Sequence, residues 1–381
     1  MFQRARLSVV VVVAACGGEP STPKDAPPDG FDRGAMLAHL AQHVFLPWHT
    51  TFAQTSAELP VAIAAHCDAL DAGQGTATLP AVQAAFARAV DAWESPEAVL
   101  VGPAAMDMKT VRGFIYGWPN LSMCELDRDV ASRWANPSSY DVANEFVSTR
   151  SLSAIEFLLY PPNANHNCLG PPAGWNELGA NLPRARCRLA HAIAVDVAAQ
   201  GAAIAETWTS SYADELATGG HLGVNIVSDG MFFMDKMVKD MKLGEAAGIA
   251  VNACDTVAAP CDREVELRFS DRATFALRAN LAATRLVFTG DVPGGASGPS
   301  FDDFLVAVGH PEIAQRMVAT LDDAIAKADA LPDSFLTALT TKYADVTTLH
   351  ALTKAFTDDL KSQFLTVLAL EIPDDVAADN D

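Results

Sequence analysis

Apolar residues spaced for one face of a helix constrain this chain more than any other feature. From Pro80 onward, Val82, Ala85, Phe86, Ala89, Val90 and Trp93 recur at offsets of 0, 3, 4, 7, 8 and 11 residues. A helix turns once every 3.6 residues, so all six fall on one stripe that must be covered. Thr78 and Pro80 suit its first turn, where a missing amide proton costs nothing. Comparable patterns run through residues 32–70, 140–159, 184–216, 227–243, 272–288, 311–331 and 347–370. Pro47 and Pro60 are expected to kink or split the first of these. Ser270 reads as the N-cap of a helix starting near Asp271, and Gly290 as its stop. Only 264–269 alternates as a short extended piece would.

The fold class is therefore all-α, two packed helical bundles. With 381 residues the chain exceeds one ordinary domain, and 50% hydrophobic residues supply a large core. Helix signals vanish across the Pro- and Gly-rich stretch 161–183, so the expected bundles are 31–182 and 183–373, with 290–299 a loop in the second.

Ahead of the first bundle, Arg4 and Arg6 precede an apolar run from Leu7 to Ala15 that ends at Cys16-Gly17. Basic residues, a short apolar run and small residues at its end are the parts of a secretory signal. The run is far shorter than the ~20 residues a spanning helix needs. Small residues directly before a cysteine resemble a bacterial lipobox, which makes 1–15 the signal and Cys16 the lipidated N-terminus. Residues 16–30 are polar and broken by prolines, so they read as a flexible tether. The expected location is the cell envelope, facing periplasm or surface; Gly17 after the cysteine resembles lipoproteins sorted to the outer membrane.

The remaining six cysteines are Cys67, Cys124, Cys168, Cys187, Cys254 and Cys261. An even number in an exported chain implies disulfides. Chain spacing suggests Cys254–Cys261 and Cys168–Cys187, which leaves Cys67–Cys124. No C-x-x-C spacing points to zinc or redox chemistry.

Formal net charge is −21. Such a polyanion is repelled by phosphate backbones and anionic lipid, so nucleic acid is excluded as a partner, and the membrane is reached through the anchor alone.

One segment combines charge with deep apolarity: Arg150-Ser151-Leu152-Ser153-Ala154-Ile155-Glu156-Phe157-Leu158-Leu159-Tyr160. Glu156 is a lone carboxylate in a helix apolar on nearly every side. Arg150, Ser153 and Tyr160 share its stripe. A buried carboxylate must be paired or hydrogen-bonded, here by Ser153, Tyr160 or an arginine. It either fixes helix packing or works as a binding or catalytic group in a dry cleft. Trp118 lies in a loop between Gly117 and Pro119. His39 and His43 sit four apart, with His49 nearby, and are the only imidazoles placed to share a metal, although no acidic residue at ligand spacing completes them. No Gly-x-Ser-x-Gly elbow or His-Glu-x-x-His is present.

Several of these features occur in a familiar order. Leu46-Pro47-Trp48, Ala92-Trp93-Glu94, Tyr116-Gly117-Trp118-Pro119-Asn120 and the Arg150–Tyr160 segment succeed one another as in imelysin-like proteins. Ser270-Asp271, Leu277-Arg278-Ala279-Asn280-Leu281, Gly290 and Phe301-Asp302-Asp303-Phe304-Leu305 continue the likeness, which spans roughly 31–370. The resemblance implies two helical bundles in bacterial envelope proteins associated with iron uptake, some described as metallopeptidases, and its motif order implies that Trp118 lines a cleft near Glu156. The family signature is Gly-x-His-x-x-Glu. Aligned on Glu156, Ser151 replaces the glycine and Ser153 the histidine, which resembles a branch that has lost this histidine. A hydrolytic metal centre needs about three protein ligands and an open water site, so this loss argues against cleavage.

The leading expectation is thus a lipid-anchored envelope protein that binds a ligand or partner between the bundles. That ligand could be iron or another divalent metal, haem, or an envelope protein. The alternatives are a metal-dependent peptidase using Glu156 and a structural envelope protein.

Overall fold

The computed structural model describes residues 30–138, 140–160, 163–254 and 259–373; the signal, Cys16 and nearly all of the tether lie outside them. Among the described residues the chain is helical, and a single bridge between Asp291 and Ser297 replaces any strand. The helices are α1 (Arg33–Leu40), α2 (Leu46–Asp71), α3 (Gly75–Ala98), α4 (Met106–Ile115), α5 (Met123–Ala135), α6 (Leu152–Leu159), α7 (Trp175–Leu178), α8 (Leu182–Thr207), α9 (Ala213–Ala217) and α10 (Gly220–Met231). A π-helical segment, Met234–Glu245, follows. Then come α11 (Ala273–Thr289), α12 (Phe301–Ala307), α13 (Pro311–Asp329), α14 (Phe335–Thr341), α15 (Tyr343–Asp359) and α16 (Leu365–Leu368).

The apolar stripe of α3 is buried as its spacing requires: Val82, Phe86, Val90 and Trp93 are at most 1% exposed. It packs on α2 on one side and on α11 on the other. Trp93 meets Phe52 of α2, ring centroids 4.9 Å apart. The second major packing joins α11, α13 and α15, with the π-helical segment against α15. One apolar core runs from Met36 to Leu370 through both. α8 follows the expected 182/183 boundary but packs most extensively on α2, from before it.

The first expected helix is interrupted where Pro47 lies. A π-helical turn, Ala41–Phe45, precedes α2, and Pro47 occupies the first turn of α2. Pro60 sits inside α2 without ending it. The helix expected over 140–159 is confined to α6, with Ser151 as its cap: Ser151 Oγ accepts from the Ala154 amide. Gly290 ends α11 with φ +67°, and a Cβ there would meet the Gly298 carbonyl oxygen at 2.2 Å. The extended piece expected over 264–269 is instead a tight turn, in which Leu267 has φ +47°.

Two of the three expected disulfides are corrected. Cys254–Cys261 forms, but Cys168 pairs with Cys124, and Cys187 with Cys67. Tertiary packing overrides chain spacing in both cases. α8 lies along α2 and brings Cys187 beside Cys67. Buried Asp127 of α5 accepts from the amide and side chain of Asn167, at 2.6 and 2.8 Å, and so draws the following Cys168 onto α5.

Candidate functional site

Glu94 and Glu97 lie one turn apart on α3 and continue its buried face toward α11 and the π-helical segment. Glu266 reaches the same point from the turn before α11. That turn is held at its start by the Cys254–Cys261 bridge and the Cys261 amide, which donates to the Ala246 carbonyl at 2.9 Å. At its end Arg272 makes a two-pronged bond to Asp91 of α3, at 2.5 and 2.6 Å from one nitrogen and 2.9 Å from Nε. One oxygen of each of Glu94, Glu97 and Glu266 lies within 4.8 Å of the others, and all three residues are at most 1% exposed.

Lys242, from the π-helical segment, places its ammonium among them. Its Nζ lies 3.0 Å from Glu94 Oε2, 2.9 Å from Glu266 Oε1, 3.6 Å from Glu97 Oε2 and 2.8 Å from Asn280 Oδ1 of α11. Asn280 Nδ2 donates back to the Glu94 carbonyl and to Glu94 Oε2, at 2.8 and 3.1 Å. Tyr116 donates its hydroxyl to Glu266 Oε1 at 2.7 Å. Arg112 donates to Glu97 Oε1 from Nε at 2.8 Å and to the Trp118 carbonyl at 2.8 Å. Two half-buried rings lie over the ammonium: Trp118 at 6.0 Å and Phe233 at 5.5 Å.

Burial sets the electrostatics. It raises Glu94 and Glu266 above the usual carboxylate range, against the pull of Lys242. Burial also disfavours the Lys242 ammonium, but the carboxylates of Glu266, Glu94 and Glu97 outweigh it and hold Lys242 above the ordinary lysine value. Tyr116 is pushed well above its ordinary value by burial and by the surrounding carboxylates. Lys242 is thus the bound cation of an all-oxygen cage.

Glu156 is buried on α6, and its partner is none of those expected. Ser270 donates to Glu156 Oε1 from its amide at 2.8 Å and from its hydroxyl at 2.6 Å. Ser270 therefore does not cap α11; Arg272 stands at that N-cap position and makes no side-chain cap. Burial pushes the Glu156 carboxyl up to about 7, with the Ser270 bonds opposing and the Glu266 charge adding. Because Ser270 and Glu266 belong to one turn, Glu156 adjoins the cage.

The other sequence candidates divide. Ser153 Oγ accepts from the Trp118 amide at 3.0 Å, which seats the Trp118 loop on α6. A side chain at Gly117 would meet the Val147 carbonyl at 2.6 Å and Ser151 Oγ at 2.8 Å, so that approach needs glycine. Tyr160 turns away, giving its hydroxyl to the Gln83 carbonyl at 3.3 Å. Arg150 binds Asp196 of α8 with two nitrogens, at 2.7 to 3.2 Å, and stacks on Phe114. His39 Nε2 is bonded to the Gly290 carbonyl at 2.8 Å, and the exposed ring of His43 lies 5.2 Å from that of His39, centroid to centroid. His49 is buried on Trp208, with burial taking its pKa down to about 3. An apolar cavity of about 550 Å³ is lined by Leu158 and Leu159 of α6, together with His66, Leu182 and Arg186, but not by Glu156.

Sequence reasoning noted Glu94 only within a motif, and missed Glu97, Lys242 and Glu266 altogether. The usable signal was charge at the end of an apolar stripe, since Glu94 and Glu97 follow Trp93 directly.

An all-helical body of this architecture has a family and solved counterparts. The model of the imelysin family, described as Peptidase M75, matches residues 45–363, and the chain belongs to that family. An imelysin-like protein from Psychrobacter arcticum superposes with a TM-score of 0.62 at 18% identity, over 90% of this chain and 96% of that one. A protein from Parabacteroides distasonis named iron-regulated protein A precursor gives 0.66 at 18% identity, over 87% and 95%. At that identity the likeness is one of fold. No curated protein matches the chain. Among the described residues no helix is long and apolar enough to cross a membrane.

Proposed function

We propose that this chain is a lipid-anchored envelope protein that binds a hard metal cation, iron foremost, in the cage of Glu94, Glu97 and Glu266, and that it is not a peptidase. The observation that carries this reading is the convergence of three buried carboxylates from two separate segments on one point. Carboxylate and amide oxygens favour hard cations, whereas a zinc hydrolase centre draws on imidazole and keeps a water position open. Here Ser153 stands at the signature's imidazole position and is occupied by the Trp118 amide. The name of the Parabacteroides neighbour supports an iron-related role. The signal, Cys16 and the tether support attachment at the outer membrane.

Calorimetric titration of the purified chain with ferrous and ferric iron, zinc and haem tests this. Saturable iron binding is expected, and its loss in the Glu94→Gln/Glu266→Gln double variant. No saturable iron binding would remove the reading. Chelator-sensitive proteolysis that disappears in Glu156→Gln would restore the peptidase.

A further inference from the structure

An ammonium has three protons to donate. Lys242 spends them on Asn280 Oδ1, Glu266 Oε1 and Glu94 Oε2, at 2.8, 2.9 and 3.0 Å. Glu97 Oε2, at 3.6 Å, is too far for a hydrogen bond and has no other partner among the described residues. Glu94 Oε1 and Glu266 Oε2 are likewise buried and without hydrogen-bond partners. A buried polar atom left in this state is costly and calls for an explanation. The cage therefore offers more oxygen than a lysine can satisfy. Hard divalent cations take six or more oxygens and could use the surplus.

We infer that Lys242 is a resident cation competing with a metal ion for this cage: metal entry requires the ammonium to swing out, and removing the ammonium opens the site. The half-buried rings of Trp118 and Phe233, within 6.0 Å of Nζ, mark the side to which it can withdraw, because aromatic faces accept a desolvated cation. This deepens the proposed function by assigning its control to a single side chain.

The test compares the full chain with its Lys242→Met variant, using manganese(II) as probe and the disappearance of the free-ion EPR signal as readout. Lys242→Met should bind manganese roughly tenfold tighter or more, as expected when a positive charge about 3 Å away is removed. Adding Glu94→Gln in that background should abolish binding. Equal affinity in the two chains, or no binding by a folded Lys242→Met, overturns the inference. If Lys242→Met does not fold alone, manganese should restore its helical circular dichroism, and failure to restore it is equally fatal. The two readings fail separately. A wild type that ignores iron beside a variant that binds manganese removes the proposed function and leaves the competition standing. Iron binding by the wild type with no gain in the variant does the reverse.

Discussion

At the residue scale, Glu156 shows what a lone carboxylate in an apolar helix does to stability. Its pKa is pushed up to about 7 by burial, from an ordinary value of 4.5, despite two hydrogen bonds from Ser270. The folded state therefore holds a proton that the unfolded state has already lost between those values. Stability from this group is fully present below pH 4.5 and falls as pH rises through about 7, by about 3 kcal/mol at most. Glu156→Gln, which cannot ionise, should keep at pH 8 the stability that the wild type loses. Urea denaturation at pH 5 and pH 8 measures this; equal slopes in the two proteins would show that Glu156 is ionised throughout. The helix position of Glu156 was legible from its apolar neighbours. Its partner was not, because Ser270 lies 114 residues away and only packing brings it near.

Between elements, the disulfides act where helix packing alone would leave long chain segments free when unfolded. Cys67–Cys187 ties α2 to α8 across 120 residues, Cys124–Cys168 spans 44 and Cys254–Cys261 spans 7. Loop-closure entropy grows with the logarithm of that span, giving about 5, 4 and 2 kcal/mol. Replacing each pair by alanines should lower Tm in that order when followed by circular dichroism. A larger loss from the shortest bridge would mean that the Glu266 turn it holds matters more than chain entropy. Spacing found this shortest bridge because seven residues cannot carry two cysteines far apart. It failed for the other two, whose neighbours were chosen by α8 lying on α2 and by Asp127 capturing Asn167.

At the scale of the whole molecule, the cage joins the α2–α3–α8 packing to the packing of α11, α13 and α15. α3 supplies Glu94 and Glu97, while the π-helical segment and α11 supply Lys242 and Asn280. Loss of the Lys242 ammonium leaves the buried carboxylates without their cation, an expense of about 3–5 kcal/mol. The proposed lipid anchor at Cys16 is tested by where the chain is found. Cys16→Ser should abolish lipid incorporation and move the chain from the membrane to the soluble envelope fraction. Unchanged membrane association on fractionation would show that something other than the anchor holds it.

Legible in the order of residues were the long helices, the buried face of α3, the closing glycine of α11, the cysteine total and the order of motifs shared with the imelysin family. These depend on neighbours within a few residues, or on a pattern that survives in linear order. Tertiary structure alone decided how the four more distant cysteines pair, that Ser270 serves Glu156 and not a helix end, and that Lys242 sits among three carboxylates. Each of those pairs groups dozens to hundreds of residues apart. Chain spacing carries no information about such distances until the apolar faces have packed.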